Sequence, residues 1–305
     1  MWGPSSLLKT QTRINTLSLI TDRTCGTNIE TQYFVDLAHF TKLQSLTWRG
    51  LSRFDDFESV GKCITTNGRQ ITSLTLDLID WTTAEEIWAD GFSQRITQHT
   101  RLPDNFFAST LFGIKAGEKV EHLPSLEHLS LSEVSFQSVG MEMAHALNMT
   151  RLRTLKLWNC PHSLDLLMAI TDPYETMNLR SFEFVIDPET SANQGLHSEP
   201  DPTLALFLGA FQGLEDIYLM LPGPLKWDII MQAIRHHEPT LRRLVAHDRF
   251  ESAYGGSLDN NGMWHNGMEI LHQCRTLRGI GTCMSPSVLV WPCLSITGAV
   301  FIDVE

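Results

Sequence analysis

The chain is short of the features that announce chemistry. Its six cysteines, Cys25, Cys63, Cys160, Cys274, Cys283 and Cys293, contain no C-x-x-C and no framework spacing, which argues against zinc and against a disulfide scaffold. Nucleophile elbows, P-loops and kinase signatures are absent, and Gly279-Ile-Gly281 lacks the third glycine and following helix of a dinucleotide fingerprint. No run approaches the roughly 20 apolar residues that span a bilayer. Residues 1–20 hold Lys9 and Arg13 and no uninterrupted apolar core, unlike a secretory signal. A cytoplasmic or nuclear location with reduced thiols is the expectation. Charged residues are scarce at 19%, against about 25% for an average soluble protein. The net charge of −12 argues against non-specific binding to nucleic acid or anionic membrane.

What is present is a repeat. Leu-x-x-Leu-x-Leu recurs as Leu126, Leu129, Leu131; Leu152, Leu155, Leu157; Leu179, Phe182, Phe184; Leu214, Ile217, Leu219; and Leu241, Leu244, Ala246. Upstream stand Ile14, Leu17, Leu19; Leu43, Leu46, Trp48; and Ile71, Leu74, Leu76, and a worn copy, Leu277, Ile280, Thr282, lies near the end. The middle residues are separated by 29, 28, 55, 26, 27, 35, 27 and 36 positions. The 55 is close to two periods, so one rung is either degenerate or replaced by an insertion near residues 95–115. A self-similar period of 20–50 residues marks a solenoid, and this one fits leucine-rich repeats.

Within each triplet the last two apolar residues are two apart and share one side of a short strand. Between the triplets, apolar residues recur at helical spacing: Phe34, Leu37, Ala38; Phe57, Val60, Ile64; Val139, Met143, Leu147; Leu204, Phe207, Leu208, Phe211; Ile230, Ala233, Ile234. The alternation predicts an α/β leucine-rich-repeat solenoid, a horseshoe with parallel inner strands, outer helices and about nine or ten repeats. A solenoid grows in one direction without splitting, so residues 1–305 read as one domain. Long loops are expected near 187–202, rich in Gly and Pro, and near 250–267, with its Gly-Gly and Asn-Gly pairs.

A solenoid offers a face. The residues flanking the repeated apolar pair point into solvent on the concave side. In the first half, which also holds Ile20, Arg49 and Asp77, these are mostly small and hydroxylated, as strand propensity alone explains. In the second half, Lys156, Trp158, Tyr218, Met220, Arg243 and His247 fall on nearby rungs. Trp, Tyr and Arg are the types enriched at binding hot spots, so this set is the candidate partner-binding site, with packing under a C-terminal loop as the structural alternative for Trp158. His236-His237-Glu238 with His247 is the densest histidine cluster. Metal-binding helices place ligands at i and i+4, whereas adjacent histidines diverge by about 100°. A polar helix end before Pro239 is the simpler account, with a histidine-based, metal-dependent enzyme kept as the alternative. No cofactor is implied. Cys160, three residues past Leu157, takes the place where such repeats carry Asn or Cys to satisfy turn amides.

Pro239-Thr-Leu-Arg-Arg-Leu-Val-Ala-His-Asp-Arg249 and Thr276-Leu-Arg-Gly-Ile-Gly-Thr-Cys-Met-Ser-Pro286 resemble the C-terminal repeats of fungal F-box proteins with leucine-rich repeats. Phe40-Thr-Lys-Leu-Gln-Ser-Leu-Thr-Trp48 and Asn178-Leu-Arg-Ser-Phe-Glu-Phe184 are similar to their earlier rungs. The likeness spans roughly residues 14–290, through motifs generic to repeats. In that family an F-box docks on the Skp adaptor of a cullin-based ubiquitin ligase while the repeats hold the substrate. Here the first repeat begins at Ile14, and Leu102-Pro103-Asp104 is not followed by the apolar helices of an F-box. The resemblance therefore implies a non-catalytic, substrate-type binding arm. Adaptor docking is implied only if an F-box is missing from this chain, as in a truncated product.

Overall fold

Alternation of apolar and polar residues makes each repeated segment a strand with one buried edge, because successive side chains point to opposite faces. The computed structural model describes residues 13–21, 35–51, 54–78, 105–171, 176–187, 199–223, 225–249, 274–282 and 299–301. The strands are β1 (Thr16–Ile20), β2 (Ser45–Leu51), β3 (Ser73–Leu78), β4 (His128–Ser132), β5 (Thr154–Trp158), β6 (Ser181–Val185), β7 (Asp216–Pro222), β8 (Arg243–Arg249), β9 (Gly279–Thr282) and β10 (Ala299–Phe301). They form one ten-stranded sheet in chain order, every neighbour parallel. The expected parallel α/β, solenoid-like architecture is the one observed.

The repeat fixes the register. Leu17, Leu46, Leu74, Leu129, Leu155, Phe182, Ile217, Leu244 and Ile280 pair in one continuous row, extended by Val300 of β10. A second row joins Leu19, Trp48, Leu76, Leu131, Leu157, Phe184, Leu219 and Ala246. From β2 to β7 both rows are buried, and all of these side chains join one apolar core. Full burial of one such side chain contributes about 1.5–3 kcal/mol, and a slip of one residue would turn both rows to water. Just ahead of the strands runs a backbone ladder. The carbonyls of Asn15, Gln44, Thr72, Glu127, Arg153, Arg180, Glu215 and Arg242 each accept two N–H groups from the next rung.

The three long intervals add no rung. β3 bonds directly to β4, β6 to β7 and β8 to β9. In the 55-residue interval the described part holds a helix, Phe106–Leu111, and an isolated bridge between Leu123 and Leu147; residues 79–104 lie outside the described residues, as do 188–198 and 250–273.

One face of the sheet is covered by α1 (Phe54–Asn67), α2 (Phe106–Leu111), α3 (Gly140–Ala146), α4 (Ser163–Thr171), α5 (Pro200–Gly209) and α6 (Trp227–Ile234). Neighbouring helices lie side by side: α1 with α2, and α3 through α6 in sequence. The helix-spaced residues Phe57, Val60, Ile64, Met143, Leu204, Phe207, Leu208, Ile230 and Ile234 are buried against the strands. Phe34 lies outside the described residues, Leu37 and Ala38 form a 3-10 turn, and Phe211 follows the end of α5. Among the described residues no helix is long and apolar enough to cross a membrane.

Buried side chains tie successive rungs together where helices return to strands. Asn67, at the end of α1, accepts the Leu43 N–H at 3.2 Å and donates to the carbonyls of Phe40 at 2.6 Å and Cys63 at 3.1 Å. His237 does the same work five strands later. Its Nδ1 accepts the Leu214 N–H at 3.4 Å, and its Nε2 lies 3.0 Å from the Leu208 carbonyl. Leu43 and Leu214 are both first residues of their triplets, so an amide and an imidazole fill one structural role.

Candidate functional site

Among the described residues the second face of the sheet carries no helix, and its residues stand in three rows set by the register. The first is Thr16, Ser45, Ser73, His128, Thr154, Ser181, Asp216 and Arg243; the second is Ser18, Thr47, Thr75, Ser130, Lys156, Glu183, Tyr218 and Val245. The third is Ile20, Arg49, Asp77, Ser132, Trp158, Val185, Met220 and His247. Parallel strands put equivalent Cα atoms about 4.8 Å apart, so each row is a line of side-chain neighbours.

Six of the seven residues expected to bind a partner come together on β5, β7 and β8, and one does not. Arg49 sits three rungs from Lys156 and Trp158, roughly 14 Å away, beside exposed Ile20 and Asp77. Lys156 is not a free cation. Its Nζ meets Glu183 Oε1 at 2.6 Å on the neighbouring rung, with the carboxylate mostly buried. Arg243 Nε likewise meets Asp216 Oδ1 at 3.2 Å, with both side chains more exposed. Sequence reading weighed these cations without their counter-ions, because Glu183 and Asp216 lie 27 residues away from their partners along the chain and only register makes them adjacent.

The aromatic part of the surface is different. Trp158 is 44% exposed, with Val185 and Met220 beyond it in the same row. Tyr218 and His247 face each other diagonally, their ring centroids 6.2 Å apart. Trp158 is the last residue of β5, and the chain turns directly after it. Asn159 follows at φ +49, a left-handed conformation that Asn tolerates well. Its N–H donates to the Val185 carbonyl at 2.8 Å, and its Oδ1 accepts the Asp187 N–H at 2.9 Å.

The histidines diverge. His237 turns inward, fully buried against Phe211, with both ring nitrogens engaged by backbone, while His236 is exposed. Burial pushes the His237 pKa down to about 4, partly countered by the Leu208 carbonyl. His247 lies on the open face of β8. Among the described residues no three His, Cys, Asp or Glu side chains form a group that could hold a metal ion.

Cys160 is buried under the turn after β5. Its Sγ donates to the carbonyls of Leu131 at 3.4 Å and Trp158 at 3.5 Å, and burial pushes the thiol up to about 12, against the pull of the Val134 amide. Cys63 and Cys274 are also free and buried, and burial pushes both thiols up to about 11. Such thiols are poor nucleophiles at neutral pH.

The triplet pattern did not reveal what lies on the helices. Met141, Met168, Leu206 and Ile229 are exposed on α3, α4, α5 and α6. The first three line an open groove of about 970 Å³ with Gly140, Ala169 and Gly209. Their signal is the pairing of large and small apolar residues on the outward side of helices already recognised. No protein-family model, curated protein or solved structure matches the chain.

Proposed function

We propose that this chain is a leucine-rich-repeat horseshoe acting as a non-catalytic protein-interaction module, its partner held on the open face of β5 to β8. The observation that carries the reading is Trp158. A large aromatic side chain left 44% exposed on a regular parallel sheet stands in line with buried Val185 and half-buried Met220 and near the half-buried Tyr218–His247 pair, an apolar patch within a polar surface. Exposed indole and phenol rings contribute large contact area at little loss of side-chain freedom, which is why they dominate binding hot spots. The paired charges beside the patch, Lys156 with Glu183 and Arg243 with Asp216, form a polar rim that positions a partner more than it supplies affinity.

The likeness of the repeats to those of fungal F-box proteins supports a substrate-arm role, with docking to a ubiquitin-ligase adaptor reserved for a polypeptide that also carries an F-box. The test is affinity capture from fungal extract with wild-type protein and with Trp158→Ala and Tyr218→Ala variants. A partner held by the wild type and lost by both variants is expected. Recovery of the same proteins by all three would overturn the open-face assignment.

A further inference from the structure

The chain carries a net charge of −12, yet one border of its sheet is basic. Immediately ahead of the strands, the residues joined by the backbone ladder form a row of their own. From β4 to β9 it reads Glu127, Arg153, Arg180, Glu215, Arg242, Arg278. The order is one glutamate and two arginines, twice. Within it Arg153 Nε meets Glu127 Oε2 at 3.5 Å, while Glu215 is shared by Arg180 at 3.2 Å and Arg242 at 3.0 Å.

This pattern leaves Arg153 beside Arg180, and Arg242 beside Arg278, with no carboxylate of the row between them. The arginine side chains that pair with glutamate remain 53 to 62% exposed, whereas the glutamates are 30 and 23% exposed. Each guanidinium has five N–H donors in a fork suited to carboxylates, so one ion pair leaves most of that capacity facing outward. Next to the first arginine pair lies a groove of about 540 Å³, lined by Arg151, Arg153, Arg180, Asn178 and Gln212 with Glu127 and Glu215. Arginine exceeds glutamate along its length.

We propose that this border is a docking strip for an extended acidic peptide whose carboxylates insert between the paired arginines. The dimensions agree. The two arginine pairs are three rungs apart, about 14 Å. In an extended chain, residues i and i+4 lie on one side and about 13.6 Å apart, so carboxylates at that spacing reach both pairs. Neither Trp158 nor Tyr218 belongs to this border, and the strip stands independently of the open-face assignment.

Fluorescence anisotropy with a labelled peptide of alternating glutamate and serine tests it on the full chain. The expected result is binding that weakens steeply with added salt. It should fall by about tenfold for each of Arg153→Gln and Arg180→Gln and stay unchanged in Lys62→Gln, which removes an exposed cation from α1. Glu127→Gln and Glu215→Gln, which release arginines already engaged, should tighten binding. The glutamine counterpart of the peptide should not bind. Equal affinity for wild type and the two arginine variants would overturn the proposal, as would no binding at low salt, or tighter binding of an oligodeoxythymidylate than of the peptide.

Discussion

His237 makes the fold sensitive to acid in a way that can be worked out beforehand. The ring is fully buried and bridges two backbone groups, accepting an N–H at Nδ1 and facing a carbonyl with Nε2. Only the neutral ring protonated on Nε2 satisfies both. A second proton would set Nδ1–H against the Leu214 N–H and leave a charge in the core. Burial accordingly lowers the folded pKa from 6.5 to about 4. Between those values the unfolded chain binds more protons than the folded one. The stability from this site is therefore complete above pH 6.5, erodes as the pH falls, and is exhausted near pH 4. The whole window amounts to about 3 kcal/mol, of which about 2 kcal/mol is lost between pH 7.5 and pH 5. Urea denaturation of wild type and His237→Gln at those two pH values checks this, since glutamine offers the same acceptor and donor without titrating. The variant should lose about 2 kcal/mol less than the wild type. Equal losses in the two proteins would refute the bridging account, because the other histidines are common to both.

Two further perturbations probe the frame. Asn67→Ala strands the Leu43 N–H and the Phe40 carbonyl in the core and should cost about 2–5 kcal/mol in chemical denaturation; a loss below about 1 kcal/mol would show that water replaces the amide. Gly61 of α1 packs so closely on the Thr110 carbonyl of the neighbouring α2 that an added Cβ would overlap it. Gly61→Ala should therefore destabilise by about 1–3 kcal/mol despite its better helix propensity, and a stabilised variant in thermal melts would show that α2 does not hold that position.

Most of the frame was legible because its signal is one-dimensional. Each triplet states which residues are buried, and a fixed period states which triplets are neighbours, so the row from Leu17 to Ile280 could be written before any coordinates. Three elements escaped. α2 (Phe106–Leu111) lies in the stretch near 95–115 that showed neither a triplet nor a helical series. α4 is apolar on several sides, with Leu164, Leu166, Leu167, Ala169 and Ile170 all buried, so it shows little helical stripe. β10 carries no triplet, only Ala-Val-Phe laid against β9. The 55-residue interval was ambiguous for a related reason: length alone equals two rungs, and only the direct bonding of β3 to β4 removes the extra one.

The sequence by itself determined the repeat, the faces and which aromatic residues stand on the open face, since these follow from spacing along the chain. The state of the charges was decided only in three dimensions. Lys156 and Arg243, candidate partner-binding residues in sequence, are paired across rungs, while the row of Glu127, Arg153, Arg180 and Glu215 draws on residues up to 88 positions apart. An ion pair depends on distance in space, and in a parallel sheet that distance is set by register between strands.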